Sequence, residues 1–135
     1  MIFNEALASF MRRIGVCEER GSRIDKVVSQ TELFQLPAPL FETTEEHTWS
    51  VLFAHKEFRS MDKDDRIRVA YIHACLRYVQ RDFMTNTTLR ERFQVDERNS
   101  SMISRIIRDT VDAGLIRIYD NSVGNRAQRY VPSWV

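Results

Sequence analysis

The stretch TNTTLRERFQVDERNSSMISRIIRDTVDAGL, residues 85–115, holds two helical patterns divided by a tight connection. Thr85 or Asn86 can cap a short helix that buries Leu89 and Phe93, because a side-chain oxygen there accepts one of the N–H groups a helix start leaves orphaned. Gln94-Val95-Asp96 leaves room only for a sharp turn. The next helix starts between Asp96 and Ser100 and runs to Ala113. Ile103, Ile106, Ile107 and Val111 recur along one face of it, and Gly114 is a stop signal. Leu115–Tyr119 alternates as a strand. Residues 120–125 (DNSVGN) have turn chemistry, and Arg126–Val131 returns as the partner strand.

A longer helix precedes this stretch, over about Asp62–Arg81. Asp62 caps it, and Asp64 and Asp65 sit in its first turn, where the helix dipole favours negative charge. Ile67, Ala70, Tyr71, Ala74 and Tyr78 form one apolar face; Val69, Ile72 and Leu76 form a second. A helix apolar on two sides lies between neighbours. Its remaining stripe, Arg66, His73, Arg77 and Gln80, reads as surface.

Helix, short helix, tight turn, helix and β-hairpin is the order of a winged helix-turn-helix, whose last helix enters a DNA major groove. At 100° per residue, Arg98, Ser101, Met102 and Arg105 point away from the isoleucine stripe, with Arg108 on the flank. Arg98 and Arg105 can bond guanine bidentately, and Ser101 and Ser104 can reach a base or a phosphate. On the wing, Asn125, Arg126, Gln128 and Arg129 suit phosphate or minor-groove contact. The competing interpretation is a solvated face in which Arg105 pairs with Asp109 one turn on.

The first half has a different rhythm. Leu7, Phe10, Met11 and Ile14 make one helical face, which Gly15 ends. A second helix begins near Glu18–Ser22 and ends near Phe34, with Ile24, Val27 and Val28 inward. Leu36-Pro37-Ala38-Pro39 cannot continue it. Two short strands follow, near Leu40–Thr43 and Thr48–Phe53, joined at Glu45-Glu46-His47. The fold class is therefore α+β: a small N-terminal ααββ unit over residues 1–55, a linker at 56–61, and a winged helix-turn-helix over 62–135. The aromatic residues mostly sit at core periodicity, and Trp134 is placed to cover the 62–81 helix or a partner.

Charge supports that division. Residues 1–59 carry seven Lys+Arg and nine Asp+Glu; residues 60–135 carry thirteen and ten, and twelve of those thirteen cations are arginine. The net charge of +1 over 135 residues demands no polyanionic partner, so local clustering has to carry the argument. No apolar run approaches the ~20 residues a bilayer needs, and no signal peptide is visible. Cys17 and Cys75 read as reduced thiols of a cytoplasmic chain. His47, His55 and His73 lack metal-ligand spacing. Ser100, Ser101 and Ser104 have no base nearby in sequence. Glu18/Glu19, Glu45/Glu46 and Asp64/Asp65 diverge as neighbours, so no acid–base couple forms.

The segments ASFMRRIGVCEERGSRIDKVV, ELFQLPAPLFE and MDKDDRIRVAYIHACLRYV, with the stretch quoted first, resemble the C-terminal region of RecG-related bacterial proteins described as ATP-dependent DNA helicases or transcriptional regulators. Arg13, Gly15, Glu18, Gly21 and Ser22 carry the most specific part of the likeness. The resemblance implies that residues 1–55 end an ATPase-like module of the histidine-kinase type and that a winged helix-turn-helix follows. It implies a C-terminal fragment or a truncated relative. Arg23 stands where that family's last glycine motif has a second glycine, and an arginine side chain obstructs a close phosphate approach. The four glycines, at 15, 21, 114 and 124, make no G-x-x-x-x-G-K-[ST]. The expectation is thus a non-enzymatic, transcription-regulator-type DNA-binding module without cofactor or metal. Its partner is duplex DNA; the alternatives are a protein-interaction or dimerisation module, or part of an ATP-dependent DNA helicase as the resemblance implies, and the exposed sheet edge favours a homodimer.

Overall fold

The structure is a computed structural model that describes Phe10, Arg13, residues 22–120, Gly124 and residues 128–135. The expected first helix, apart from Phe10 and Arg13, lies outside the described residues. So do Cys17 and the Gly15, Glu18 and Gly21 positions of the family pattern, together with Asn125 and Arg126 of the expected wing.

Among the described residues the chain is α+β, with four α-helices and two small antiparallel sheets. Helix α1 (Ser22–Leu33) leads into Pro37-Ala38-Pro39 and a hairpin of β1 (Leu40–Thr43) and β2 (Thr48–Val51). A 3-10 turn at Phe58–Ser60 precedes α2 (Lys63–Val79). Helices α3 (Asn86–Arg92) and α4 (Ser100–Asp112) follow, and β3 (Ile116–Ile118) pairs with β4 (Tyr130–Pro132).

Local chemistry sets these boundaries. The Asp62 carboxylate accepts from the Asp65 N–H at 2.8 Å and starts α2. Thr85 and Thr88 satisfy each other's backbone groups in a capping box that starts α3. Gly114, at φ +71°, ends α4 in the left-handed conformation that glycine adopts without Cβ strain. Three other helix ends use non-glycine residues in that region: Gln35, Arg81 and Gln94. The β1–β2 turn closes where the sequence places it, with Thr44 N–H donating to the His47 carbonyl at 2.8 Å. The last strand differs from expectation: it covers Tyr130–Pro132 instead of starting at Arg126, and Gln128 and Arg129 precede it.

The core lies under α4. Ile103, Ile106 and Ile107 of that helix pack with Val69, Ala70 and Ala74 of α2, Leu89 and Phe93 at α3, and Met84 and Ile116. Met84 also exchanges both backbone hydrogen bonds with Tyr130, adding a one-residue bridge beside β4. Thr110 is fully buried and donates to the Ile106 carbonyl at 2.7 Å, so its hydroxyl is not left orphaned. Met61 joins this core, and Phe58 packs on Phe93 in a tilted pair with ring centroids 4.9 Å apart.

Two expectations about the first half are corrected. Ile24 does not face inward: it is 59% exposed, while Val27 and Val28 are half-buried. Phe34, just after α1, is also exposed, and so is Trp49, because the β1–β2 hairpin is a lone ribbon with every residue but Leu40 open to solvent. Periodicity marks a face but does not supply the neighbour that would cover it.

Burial separates two neighbours on α4. Ile103→Ala should lower the unfolding free energy by about 2–5 kcal/mol, whereas exposed Arg105→Ala should change it by less than about 0.5 kcal/mol. Urea denaturation of both variants checks this, and equal effects would refute the packing described.

Candidate nucleic-acid interface

The three isoleucines that anchor α4 turn its other side outward. Arg98, in the 3-10 turn before the helix, and Ser101, Met102, Arg105 and Arg108 are all exposed. Arg98, Arg105 and Arg108 pair with no carboxylate among the described residues. The Arg105–Asp109 pair of the competing interpretation does not form; Asp109 is met instead by Lys63 of α2 at 3.2 Å. A tertiary partner thus holds that carboxylate, and Arg105 has no carboxylate partner among the described residues. Glu97 is the exposed acid nearest Arg98 in sequence.

Ser104 has a different place from its neighbours. Its hydroxyl donates to the Ser100 carbonyl at 3.2 Å and accepts from Asn86 Nδ2 at 2.9 Å. Asn86 also donates to the Ser100 carbonyl, so Ser104 ties the start of α3 to the first turn of α4.

The hairpin supplies the second side of the surface. An open cleft of about 480 Å³ separates α4 from β3 and β4. Ser104 and Arg108 line it from the helix, and Gln128 and Tyr130 from the returning chain. Tyr130 donates to Gln128 Oε1 at 2.7 Å, which fixes the amide's oxygen toward the strand. The Arg129 guanidinium lies 5.2 Å from the Phe83 ring centroid, and Phe83 packs against Tyr119. Such stacking holds a guanidinium in place while leaving its charge unneutralised. Asn125 and Arg126, expected at this end, lie outside the described residues.

A buried ionic junction supports the helical pair from behind. Glu32 of α1 accepts from His73 Nδ1 of α2 and from Arg92 Nε of α3, the latter at 2.6 Å. Arg92 also donates to the Leu36 carbonyl at 2.6 Å, and His73 Nε2 meets the Thr88 hydroxyl at 3.2 Å. His73 therefore is not the surface residue its stripe suggests; both it and Arg92 are 6% exposed. Burial alone would push the Glu32 carboxyl up. The hydrogen bond and charge of His73, together with the Arg92 guanidinium, outweigh it and hold that carboxyl below the usual carboxylate range. Asp65 follows the same logic: burial raises it, but Lys56 and Arg68, each at 2.6 Å, hold it low.

Among the described residues no helix is long and apolar enough to cross a membrane, and no group of three His, Cys, Asp or Glu could hold a metal ion. Cys75 is half-buried, and burial raises its thiol.

Residues 1–52 match the family model described as "Putative ATP-dependent DNA helicase recG C-terminal". The RecG-related likeness seen in the sequence therefore holds over this segment, which contains Glu32 and the β1–β2 hairpin. The match stops before α2, so the helical pair and its arginines lie beyond it. No curated protein and no solved structure matches the chain.

Both depressed carboxyls stabilise the fold fully above their ordinary range, and that contribution disappears as pH falls through their lower folded values. Asp65→Asn should cost about 1–3 kcal/mol at pH 7 and flatten the acid limb of a stability–pH curve. A limb that keeps its slope in the variant would show that Lys56 and Arg68 do not act through Asp65.

Proposed function

We propose that residues 62–135 form a winged helix-turn-helix that binds duplex DNA as a transcription-regulator-type module. In this proposal residues 1–55 are the end of an ATPase-like unit and 56–61 the connection. Helix α2, the Met84 bridge, α3, the turn at Gln94, α4 and the β3–β4 hairpin follow one another in the order such a module needs. The observation that carries the proposal is the row of Arg98, Arg105 and Arg108 beside α4's buried face, without a carboxylate partner among the described residues. An exposed row of guanidiniums along a helix 13 residues long and the turn that leads into it suits the shape and charge of a major groove.

The roles divide by position. Arg98 and Arg105, with Ser101 and Met102 between them, read base edges. Arg108 at the cleft and Arg129 on its aromatic support contact phosphates, with Gln128, Asn125 and Arg126 on the hairpin side. Ser104 acts mainly through the start of α3. The module works in the cytoplasm, where duplex DNA is at hand. The helicase activity in the family's description is not carried over to this chain, whose glycines form no phosphate loop. We propose no ATP turnover by these 135 residues.

Fluorescence anisotropy with labelled duplexes at two ionic strengths tests the proposal. Affinity should fall steeply with salt. Arg105→Ala should cost about 1–3 kcal/mol on a preferred sequence and relax the preference, while Arg129→Ala should weaken all duplexes alike and reduce the salt slope by about 1. Binding that ignores both substitutions would refute the assigned face. DNA-stimulated ATP hydrolysis by the purified chain would refute the non-enzymatic part.

A further inference from the structure

Helix α1 is held in an unusual way. Its apolar side chains do little of the holding: Ile24, Leu33 and Phe34 are 59%, 70% and 63% exposed, and only Val27 and Val28 are half-buried. The firm attachment is polar and sits at the helix's last turn. One carboxylate, Glu32, meets His73 of α2 and Arg92 of α3, and Arg92 also holds the Leu36 carbonyl just after the helix. The chain beyond is anchored independently. Pro37, Ala38 and Pro39 are buried, and the Ala38 carbonyl accepts from Arg68 at 3.2 Å. Between the two anchors lies Gln35, in the left-handed region at φ 52°. Helix α1 is therefore a strap that joins the fixed Pro37–Pro39 segment through the turn at Gln35, with one ionic fastening in which Arg92 also holds the Thr31 and Leu36 carbonyls.

We propose that α1 is a detachable strap, fastened by Glu32, whose docking sets the position of α3 and so couples the family-matched segment to the DNA-reading helix α4. The coupling runs through Arg92, the last residue of α3. Phe93 and the left-handed Gln94 follow directly, and the turn they make delivers the chain to Arg98 and α4. When α1 leaves with Glu32, Arg92 and His73 lose both their shared carboxylate and the helix that covers them. The guanidinium and imidazole are then met by water instead of by α1. Arg92 is free to turn outward, and the α3–α4 turn loses its support from behind. Glu32 and Arg92 are positioning residues in this scheme; neither lies on the exposed face of α4.

Coupling free energies are reciprocal. If the docked strap favours DNA binding, bound DNA must also favour the docked strap, although the two do not touch. The inference rests on the DNA-binding proposal for its second half only, so the test reads strap and DNA separately.

Hydrogen exchange followed by mass spectrometry on the full chain, with anisotropy on the same samples, provides that test. In the wild type, amides of 22–34 should exchange as one unit ahead of those of α2 and α4, and saturating duplex should slow them. In Glu32→Gln the same amides should lose protection while 103–110 keep theirs, and duplex affinity should fall by about fivefold or more with the salt slope unchanged. Arg92→Lys keeps the charge but loses the fork that serves Glu32 and Leu36 together, and should behave like Glu32→Gln. If Glu32→Gln does not fold, the wild-type exchange pattern decides: simultaneous opening of 22–34 and the core overturns the strap. Unchanged protection of 22–34 in Glu32→Gln, or unchanged affinity once protection is lost, also overturns it. A wild type that binds no duplex sinks the DNA-binding proposal instead, and the exchange data alone then judge the fastening.

Discussion

Burial of one stripe on α4 governs most of this molecule. Ile103, Ile106 and Ile107 are nearly closed to water, and each contributes on the order of 1.5–3 kcal/mol by leaving it. A helix has only one back. Once these side chains face α2 and α3, Arg98, Arg105 and Arg108 have no choice but solvent. The same packing brings Lys63 of α2 to Asp109, the acid one turn on from Arg105. Core packing and surface charge are thus two consequences of one orientation.

The polar interior obeys a different rule. A buried charge is tolerated only with its partners in place. Glu32, His73 and Arg92 come from three helices and satisfy one another, while Thr88 completes both the His73 contact and the cap of α3. A junction of this kind adds little net stability compared with an apolar one, but it tolerates few alternative arrangements. It fixes where α1 sits on a molecule that otherwise gives that helix little to hold. The segment similar to the RecG C-terminal region meets the arginine-bearing helices at this junction.

Much of the fold was legible from residue order. The caps at Asp62 and Thr85, the stop at Gly114, the β1–β2 turn and the outward row on α4 all appear where the sequence places them. The failures share a cause. Ile24, Phe34 and Trp49 lie on apolar patterns but lack a covering neighbour. His73 lies on a charged stripe but is covered by α1 and α3. In each case the pattern was correct and the environment was decided elsewhere in the chain.

Short-range physics, then, was written in the sequence itself: helix starts and stops, strand turns, the isoleucine face and the arginines opposite it depend on residues within a few positions of one another. The ionic junction belongs to the tertiary structure alone. Glu32 lies 41 residues from His73 and 60 from Arg92, and nothing local distinguishes these three from ordinary surface charges. They become partners only because α1, α2 and α3 converge, and burial there makes an unpaired charge too costly to keep.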